Sequence, residues 1–145
     1  MFNDKNCPNG NKLRTYRLHK SRLTTEGYIS LVPRHERSTL AKLRCGSRPL
    51  NIELGRFRNL PLESRICELC NSHNIEDEIH FTIDCSFYDD IRSQLFTKVC
   101  STNEFFMELP SLAKYCYLMT DVSNIKSLAK TVDSMFKRRQ TYMWS

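Results

Sequence analysis

Residues 67–85 read CELCNSHNIEDEIHFTIDC, with the spacing C-x2-C, nine residues, then H-x4-C. A C-x2-C step lets two thiolates of one tight turn occupy two corners of a tetrahedron, and a later histidine and cysteine can fill the other two corners. Such a closed ligand set leaves no position for a substrate water, which is typical of structural zinc. We therefore predict one structural Zn²⁺ bound by Cys67, Cys70, His80 and Cys85.

Two alternatives to this site stay open. A lone C-x2-C pair can also be two small buried residues, and only the added histidine and third cysteine favour a metal. His73 is a second candidate ligand, but it would leave a long gap to Cys85. The step from His80 to Cys85 resembles the closing half of a zinc knuckle, so His80 is the predicted ligand.

Hydrophobic spacing around this segment predicts helices. A proline opens and a glycine closes the stretch 33–46, and apolar residues recur at helical intervals in 86–99, 112–119 and 121–136. The stretch LNIEL at 50–54 alternates apolar and polar residues, which predicts a brief strand. We expect a mainly α fold with a small β element, a small helical domain stapled by the zinc-binding turn.

A four-residue sequence in this region fits a polymerase motif. Phe87–Asp90 spells FYDD, the aromatic-x-Asp-Asp pattern with which reverse transcriptases hold metal ions. Two-metal catalysis needs a further carboxylate from a separate strand, whereas FYDD here opens a predicted helix, whose dipole favours Asp89 and Asp90 in its first turn. No catalytic triad order, P-loop or glycine-rich phosphate loop occurs, so we predict that the chain is not an enzyme.

Charge is distributed unevenly along the 145 residues, which carry a net charge of +6. Residues 1–66 hold 14 basic and 5 acidic residues, 67–110 hold 2 and 9, and 111–145 hold 6 and 2. The basic first segment indicates either a polyanionic partner or simply a solvated basic surface.

Compartment and membrane association can also be predicted from the sequence. The count of seven cysteines is odd, and residues 1–22 are polar and basic without the apolar core of a secretory signal. We therefore expect reduced thiols in an intracellular compartment, cytoplasmic or nuclear, and no membrane partner, because the apolar runs are too short to cross a bilayer.

Several short motifs together resemble a known family. They are KLRTYRLHK at 12–20, HERSTLAKLRCG at 35–46, LNIELGRF at 50–57, RICELC at 65–70 and EDEIHF at 76–81. Their order and spacing resemble the region that follows the polymerase in non-LTR (LINE-type) retrotransposon reverse transcriptases, over roughly residues 11–139. In that family this tail carries a CCHC zinc-binding segment and is thought to help hold nucleic acid.

This resemblance implies an organisation and a function. An unmatched extension (1–10), a basic helical region (11–66), the CCHC segment (67–85) and C-terminal helices (86–145) would together form one domain. Because no polymerase or endonuclease portion is present, the resemblance implies binding and no catalysis. The expected partner is RNA or DNA, single-stranded and read with little sequence discrimination, and a reverse transcriptase is a further candidate partner.

Basic residues near the zinc segment are the predicted contacts to nucleic acid, since arginine and lysine suit phosphate. They are Lys12, Arg14, Arg17, Lys20, Arg22, Arg56, Arg58 and Arg65. The rival hypothesis is a helical interaction module that docks to a polymerase through an apolar face. A relic of a retroelement without any function is the third possibility.

Overall fold

A computed structural model describes residues 13–20 and 26–144 of the chain. The extension 1–10 and two of the predicted nucleic-acid contacts, Lys12 and Arg22, lie outside these ranges. Within them the α-helices are Tyr16–His19 (α1), Tyr28–Leu31 (α2), Arg34–Arg44 (α3), Asn51–Phe57 (α4), Asp89–Thr102 (α5), Ser111–Thr120 (α6) and Ile125–Met143 (α7). None of these helices combines the length and apolar character that a bilayer crossing requires. The predicted mainly α class is confirmed.

Helix α3 follows the start and stop signals of its sequence. It begins directly after Pro33 and is closed by Gly46, which has a left-handed φ of 68°. The N–H of Gly46 donates to the carbonyl of Leu43 (3.0 Å), and the N–H of Ser47 donates to that of Lys42 (2.8 Å). These bonds satisfy the last carbonyls of the helix, and the left-handed backbone favours glycine at this position.

The three C-terminal helices also form where the apolar spacing predicts them. The stripe of α7 is buried throughout, at Ile125, Leu128, Ala129, Val132 and Phe136. The FYDD sequence enters α5 through a 3₁₀ turn at Ser86–Tyr88, with Asp89 and Asp90 in the first turn of the helix. This confirms that FYDD starts a helix.

The strand predicted at 50–54 is wrong, because residues 51–54 belong to helix α4 and Leu50 directly precedes it. The carboxylate of Glu76 accepts the N–H of Asn51 (2.7 Å), and the carbonyl of Glu76 accepts the N–H of Ile52 (3.1 Å). Two of the N–H groups that a helix start leaves unpaired are thereby satisfied by a residue about 25 positions away. The one β pairing in the described residues is an isolated bridge between Ile66 and Ile75.

One hydrophobic core contains residues from the basic segment, the CCHC segment and the C-terminal helices. Helix α7 packs against both α3 and α5. Phe81, which lies between two predicted zinc ligands, stacks on Phe136 of α7 with ring centroids 4.3 Å apart, and it contacts Tyr88 edge-on. Burying such side chains stabilises a fold by about 1.5–3 kcal/mol each. The CCHC segment is therefore part of the helical core.

Candidate metal centre

A short hairpin positions the first two cysteines. The N–H of Cys67 donates to the carbonyl of Asn74 (2.8 Å), and the N–H of Glu76 donates to the carbonyl of Arg65 (3.0 Å). Residues 68–73 form the turn that these two bonds close, so that Cys67 and Cys70 lie on one turn. The N–H of Leu69 points at the sulfur of Cys67 (3.4 Å), where it can stabilise a thiolate.

A single π-helical turn at His80–Asp84 positions the other two ligands. The N–H of Cys85 donates to the carbonyl of His80 (2.8 Å), which closes the wide turn and brings these two residues together. The carboxylate of Asp77 accepts the N–H of His80 (2.8 Å) and so caps the start of the turn. Single π turns are rare and often occur at functional sites.

The four predicted ligands come together in space. Their ligand atoms all lie within 4.8 Å of one another. The sulfurs of Cys67 and Cys85 are 3.8 Å apart, and the sulfur of Cys70 is 3.4 Å from Nε2 of His80. In a tetrahedral site with metal–sulfur distances of about 2.3 Å, two sulfurs lie about 3.8 Å apart, and sulfur and nitrogen about 3.6 Å apart. These two distances are close to the tetrahedral values, and the group as a whole could hold a metal ion.

The chemistry of the donor set also fits a metal ion. The three cysteines are free thiols, and the Cys67–Cys85 distance is far longer than a disulfide bond of about 2.05 Å. Cys67, His80 and Cys85 are buried, and Cys70 is half-buried. Buried polar groups that converge on one point need either hydrogen bonds or a shared cation, and thiolates with one imidazole suit borderline and soft metals.

Protonation of these groups responds to their proximity. The hydrogen bond from the Cys85 thiol lowers the pKa of Cys67, and the contact with His80 acts in the same direction. The same bond, together with burial, raises the pKa of Cys85. Burial alone would lower the pKa of His80, but its contacts with Cys67 and Cys70 raise the pKa above the ordinary value. Protons shared within the cluster thus stabilise the crowded thiols, and a bound cation would displace these protons.

Arg92 on α5 binds the backbone of the turn that carries His80 and Cys85. This residue is 3% exposed, and its guanidinium donates to three backbone carbonyls of the turn. The acceptors are Thr82 (2.8 Å, from Nε), Phe81 (3.1 Å) and Cys85 (2.9 Å, both from Nη2). Its remaining nitrogen, Nη1, binds the carboxylate of Asp89 (2.7 Å). The planar, fork-shaped donor group of arginine suits this arrangement.

Buried acidic residues anchor the segment between the two ligand pairs. Arg139 of α7 binds both carboxylate oxygens of Glu76, at 2.9 Å and 2.8 Å, and both side chains are buried. Glu78 is buried as well and accepts hydrogen bonds from Arg14. The segment that carries His80 is therefore bound to α7 and to the N-terminal part of the described chain.

Some of the basic residues predicted to contact nucleic acid form ion pairs with acidic residues of the same chain. Arg14, whose side chain is 10% exposed, binds Glu78 and lies 3.6 Å from Glu53. Lys20 is 2.5 Å from Glu26. These two side chains contact carboxylates of the same chain, which counts against the prediction that they bind phosphate.

The remaining predicted contacts differ in exposure. Arg65 donates to the carbonyls of Leu60 (2.8 Å) and Ile52 (3.2 Å), so it supports the end of α4. Arg56 is paired with Glu53 at 2.5 Å, and Arg17 is half-buried. Arg58 is exposed.

Sequence reasoning missed the residues that support the ligands. Asp77 stands three residues before His80, which is the spacing of a capping residue, so this contact had a local signal. Arg92 and Arg139 had no such signal, because their partners are not adjacent in the sequence and only the fold brings them together.

His73 lies outside the ligand cluster and is exposed, with a left-handed φ of 57°. A side chain in that backbone region costs about 1–2 kcal/mol, which glycine does not. We therefore predict that His73→Gly retains the metal and raises the free energy of unfolding by about 1 kcal/mol. Urea unfolding and metal analysis would check this, and loss of metal in His73→Gly would show that the wrong histidine has been assigned.

Comparisons of this chain with protein-family models, with curated proteins and with solved structures gave no match. The resemblance to the tail of non-LTR reverse transcriptases therefore stays a prediction from the sequence motifs. Any functional conclusion has to come from the geometry and charge of this molecule.

Proposed function

We propose that this chain is a non-catalytic module in which one structural Zn²⁺ staples a helical domain that binds nucleic acid. The observation that carries the zinc site is the convergence of Cys67, Cys70, His80 and Cys85, whose ligand atoms all lie within 4.8 Å of one another. Three thiolates and one imidazole are a typical ligand set for structural zinc, and four protein ligands leave no open coordination position. When bound, the ion would supply cross-linking of the two turns and no chemistry on a substrate.

Nucleic-acid binding is supported by the basic surface. The net charge is +6, and most buried acidic residues are already paired with internal arginines. The basic side chains that face solvent are therefore available to a polyanion. Among the described residues they are Arg34, Lys42, Arg58, Lys98, Lys126 and Lys130. Lys137 is also exposed, but it is paired with Asp133 at 2.7 Å. This is a partly different set from the one predicted from the sequence.

The salt dependence of binding tests this function. We expect the zinc-loaded protein to bind single-stranded RNA and DNA of about 20 nucleotides with similar affinity for different sequences. The logarithm of the binding constant should fall linearly with the logarithm of salt concentration, with a slope of about −0.7 for each phosphate contact. Fluorescence anisotropy between low and physiological salt measures this slope. Absence of binding at low salt would contradict the proposal.

A docking module is the second candidate function, and one surface favours it. Phe105, Met107 and Leu112 are about half exposed although they are large and apolar. Exposed apolar residues close together in the chain can mark an interaction surface, for which a polymerase is the partner that the resemblance implies. Binding to such a partner through these residues should be nearly independent of salt, in contrast to nucleic-acid binding.

A further inference from the structure

A groove lined by both polar and apolar side chains, among them Ile91 and Leu95, runs between α5 and α7. The two helices run antiparallel, since Asp90 pairs with Arg138 near one end of the groove and Lys98 donates to Ser127 (2.6 Å) near the other. The groove has a volume of about 600 Å³ and is open to solvent. The side chains that give it its chemistry are Gln94, Lys98, Ser127, Lys130, Thr131 and Ser134.

The charge of this groove is positive. Lys98 and Lys130 are exposed, and neither forms an ion pair within the described part of the chain. Asp90 is the one acidic residue of the lining, and both of its carboxylate oxygens accept hydrogen bonds from Arg138, each at 2.6 Å. Because Arg138 neutralises this carboxylate, the two lysines set the sign of the field between the helices.

Hydroxyl groups also line the groove, although that of Ser134 already donates to the carbonyl of Lys130 (3.0 Å). Ser127, Thr131 and Ser134 follow one another at intervals of four and three residues, so they lie on the face of α7 that borders the groove. Hydroxyls and ammonium groups are typical contacts to phosphate oxygens. The lining residues include no aromatic ring on which a base could stack. This chemistry suits the backbone of a nucleic acid, with no recognition of its bases.

We propose that the groove between α5 and α7 binds the phosphodiester backbone of a single-stranded nucleic acid, with Lys98 and Lys130 as the main phosphate contacts. This inference rests on the nucleic-acid-binding function proposed above and places its contact surface away from the arginines near the zinc segment. Packed helices have axes only about 8–10 Å apart, so the furrow between them is suited to one strand.

The test compares two charge-matched double variants of the zinc-loaded protein. Lys98→Gln/Lys130→Gln removes the groove charges, and Arg37→Gln/Lys114→Gln removes two half-buried basic residues that lie outside both the groove and the exposed set named above. Glutamine retains most of the apolar stem, and circular dichroism verifies the fold. We expect the groove variant to bind single-stranded RNA or DNA on the order of tenfold more weakly, with a salt slope smaller by about 1.4. The control should change affinity by less than about threefold.

Each outcome has a separate meaning. If the wild type binds but both variants lose affinity equally, the groove is not the contact surface, while the proposed function stands. If the wild type binds neither RNA nor DNA, the function and the groove both fail. A polyglutamate competitor of equal charge should displace the strand poorly. Equal displacement would show that the groove attracts any polyanion and would overturn the assignment to a phosphodiester backbone.

Discussion

Replacing His80 or Cys85 with alanine is expected to abolish tight zinc binding and to destabilise the whole helical domain. His80 begins the π turn and Cys85 directly follows it, and Phe81 of this turn stacks on Phe136 in the core. Structural zinc sites contribute an apparent free energy of about 10–16 kcal/mol in small domains, which is comparable to the total stability of a typical domain. Zinc content by elemental analysis and helical content by circular dichroism would both fall.

Matched controls separate this effect from general damage to the fold. Cys100→Ala removes a half-buried thiol that is not in the ligand cluster, and it should leave the zinc content unchanged. A chelator added to the wild type should reproduce the loss of helical signal that His80→Ala shows. A wild type that folds stably without metal would contradict the zinc staple and would favour the helical docking module.

Acidification should release the same metal. Zinc requires deprotonated cysteines and a neutral imidazole, and the contacts with Cys67 and Cys70 raise the pKa of His80 above its ordinary value. Protons therefore compete for this ligand at a higher pH than they would for a free histidine once the metal dissociates. The stabilisation by zinc is present at pH 7 and is lost as the pH falls.

The Cys/His cluster could be predicted from the sequence because its pattern is local. The C-x2-C turn and the H-x4-C step each lie within six residues, and the choice of His80 over His73 followed from the spacing alone. Helix α7 could be predicted equally well, since its buried residues recur at intervals of three and four. Both features depend on contacts between residues a few positions apart, which the spacing of residues in the sequence determines.

Features that depend on distant partners could not be predicted in this way. The stretch 50–54 alternates apolar and polar residues as a strand does. Residues 51–54 are nevertheless helical, and the carboxylate of Glu76 accepts the N–H of Asn51 at the start of this helix. Arg14 and Arg58 have the same chemistry in the sequence, yet Arg14 is bound to buried carboxylates and Arg58 faces solvent. Which arginines remain available to phosphate is decided by where the fold buries its acidic residues.

Arg92→Met is expected to be the most damaging substitution outside the ligands themselves. Methionine fills a similar volume but donates no hydrogen bonds, so the carbonyls of Phe81, Thr82 and Cys85 would lose their shared donor. Each buried, unpaired polar group costs about 1–3 kcal/mol, so we expect a loss of roughly 3–5 kcal/mol in the free energy of unfolding. Urea unfolding of the zinc-loaded protein measures this loss.

Zinc affinity distinguishes a role in positioning the ligands from a role in packing alone. Because Arg92 fixes the turn between His80 and Cys85, its removal should weaken zinc binding by about 10–100-fold, as is typical for groups that orient metal ligands. Competition with a chromophoric chelator measures the affinity, and the absorption spectrum of the Co²⁺-substituted protein reports the ligand geometry. Arg92→Lys, which keeps the charge without the planar fork, should restore the affinity only in part.

Arg138→Met provides the control for this substitution. Arg138 donates two hydrogen bonds to Asp90 of α5, which is exposed. The loss should therefore be less than about 1 kcal/mol, and zinc affinity should not change. If Arg92→Met lowers stability but binds zinc as tightly as the wild type, Arg92 only packs α5 against the core. Joint loss of affinity and of the tetrahedral Co²⁺ spectrum would instead establish that α5 holds the metal ligands in place through Arg92.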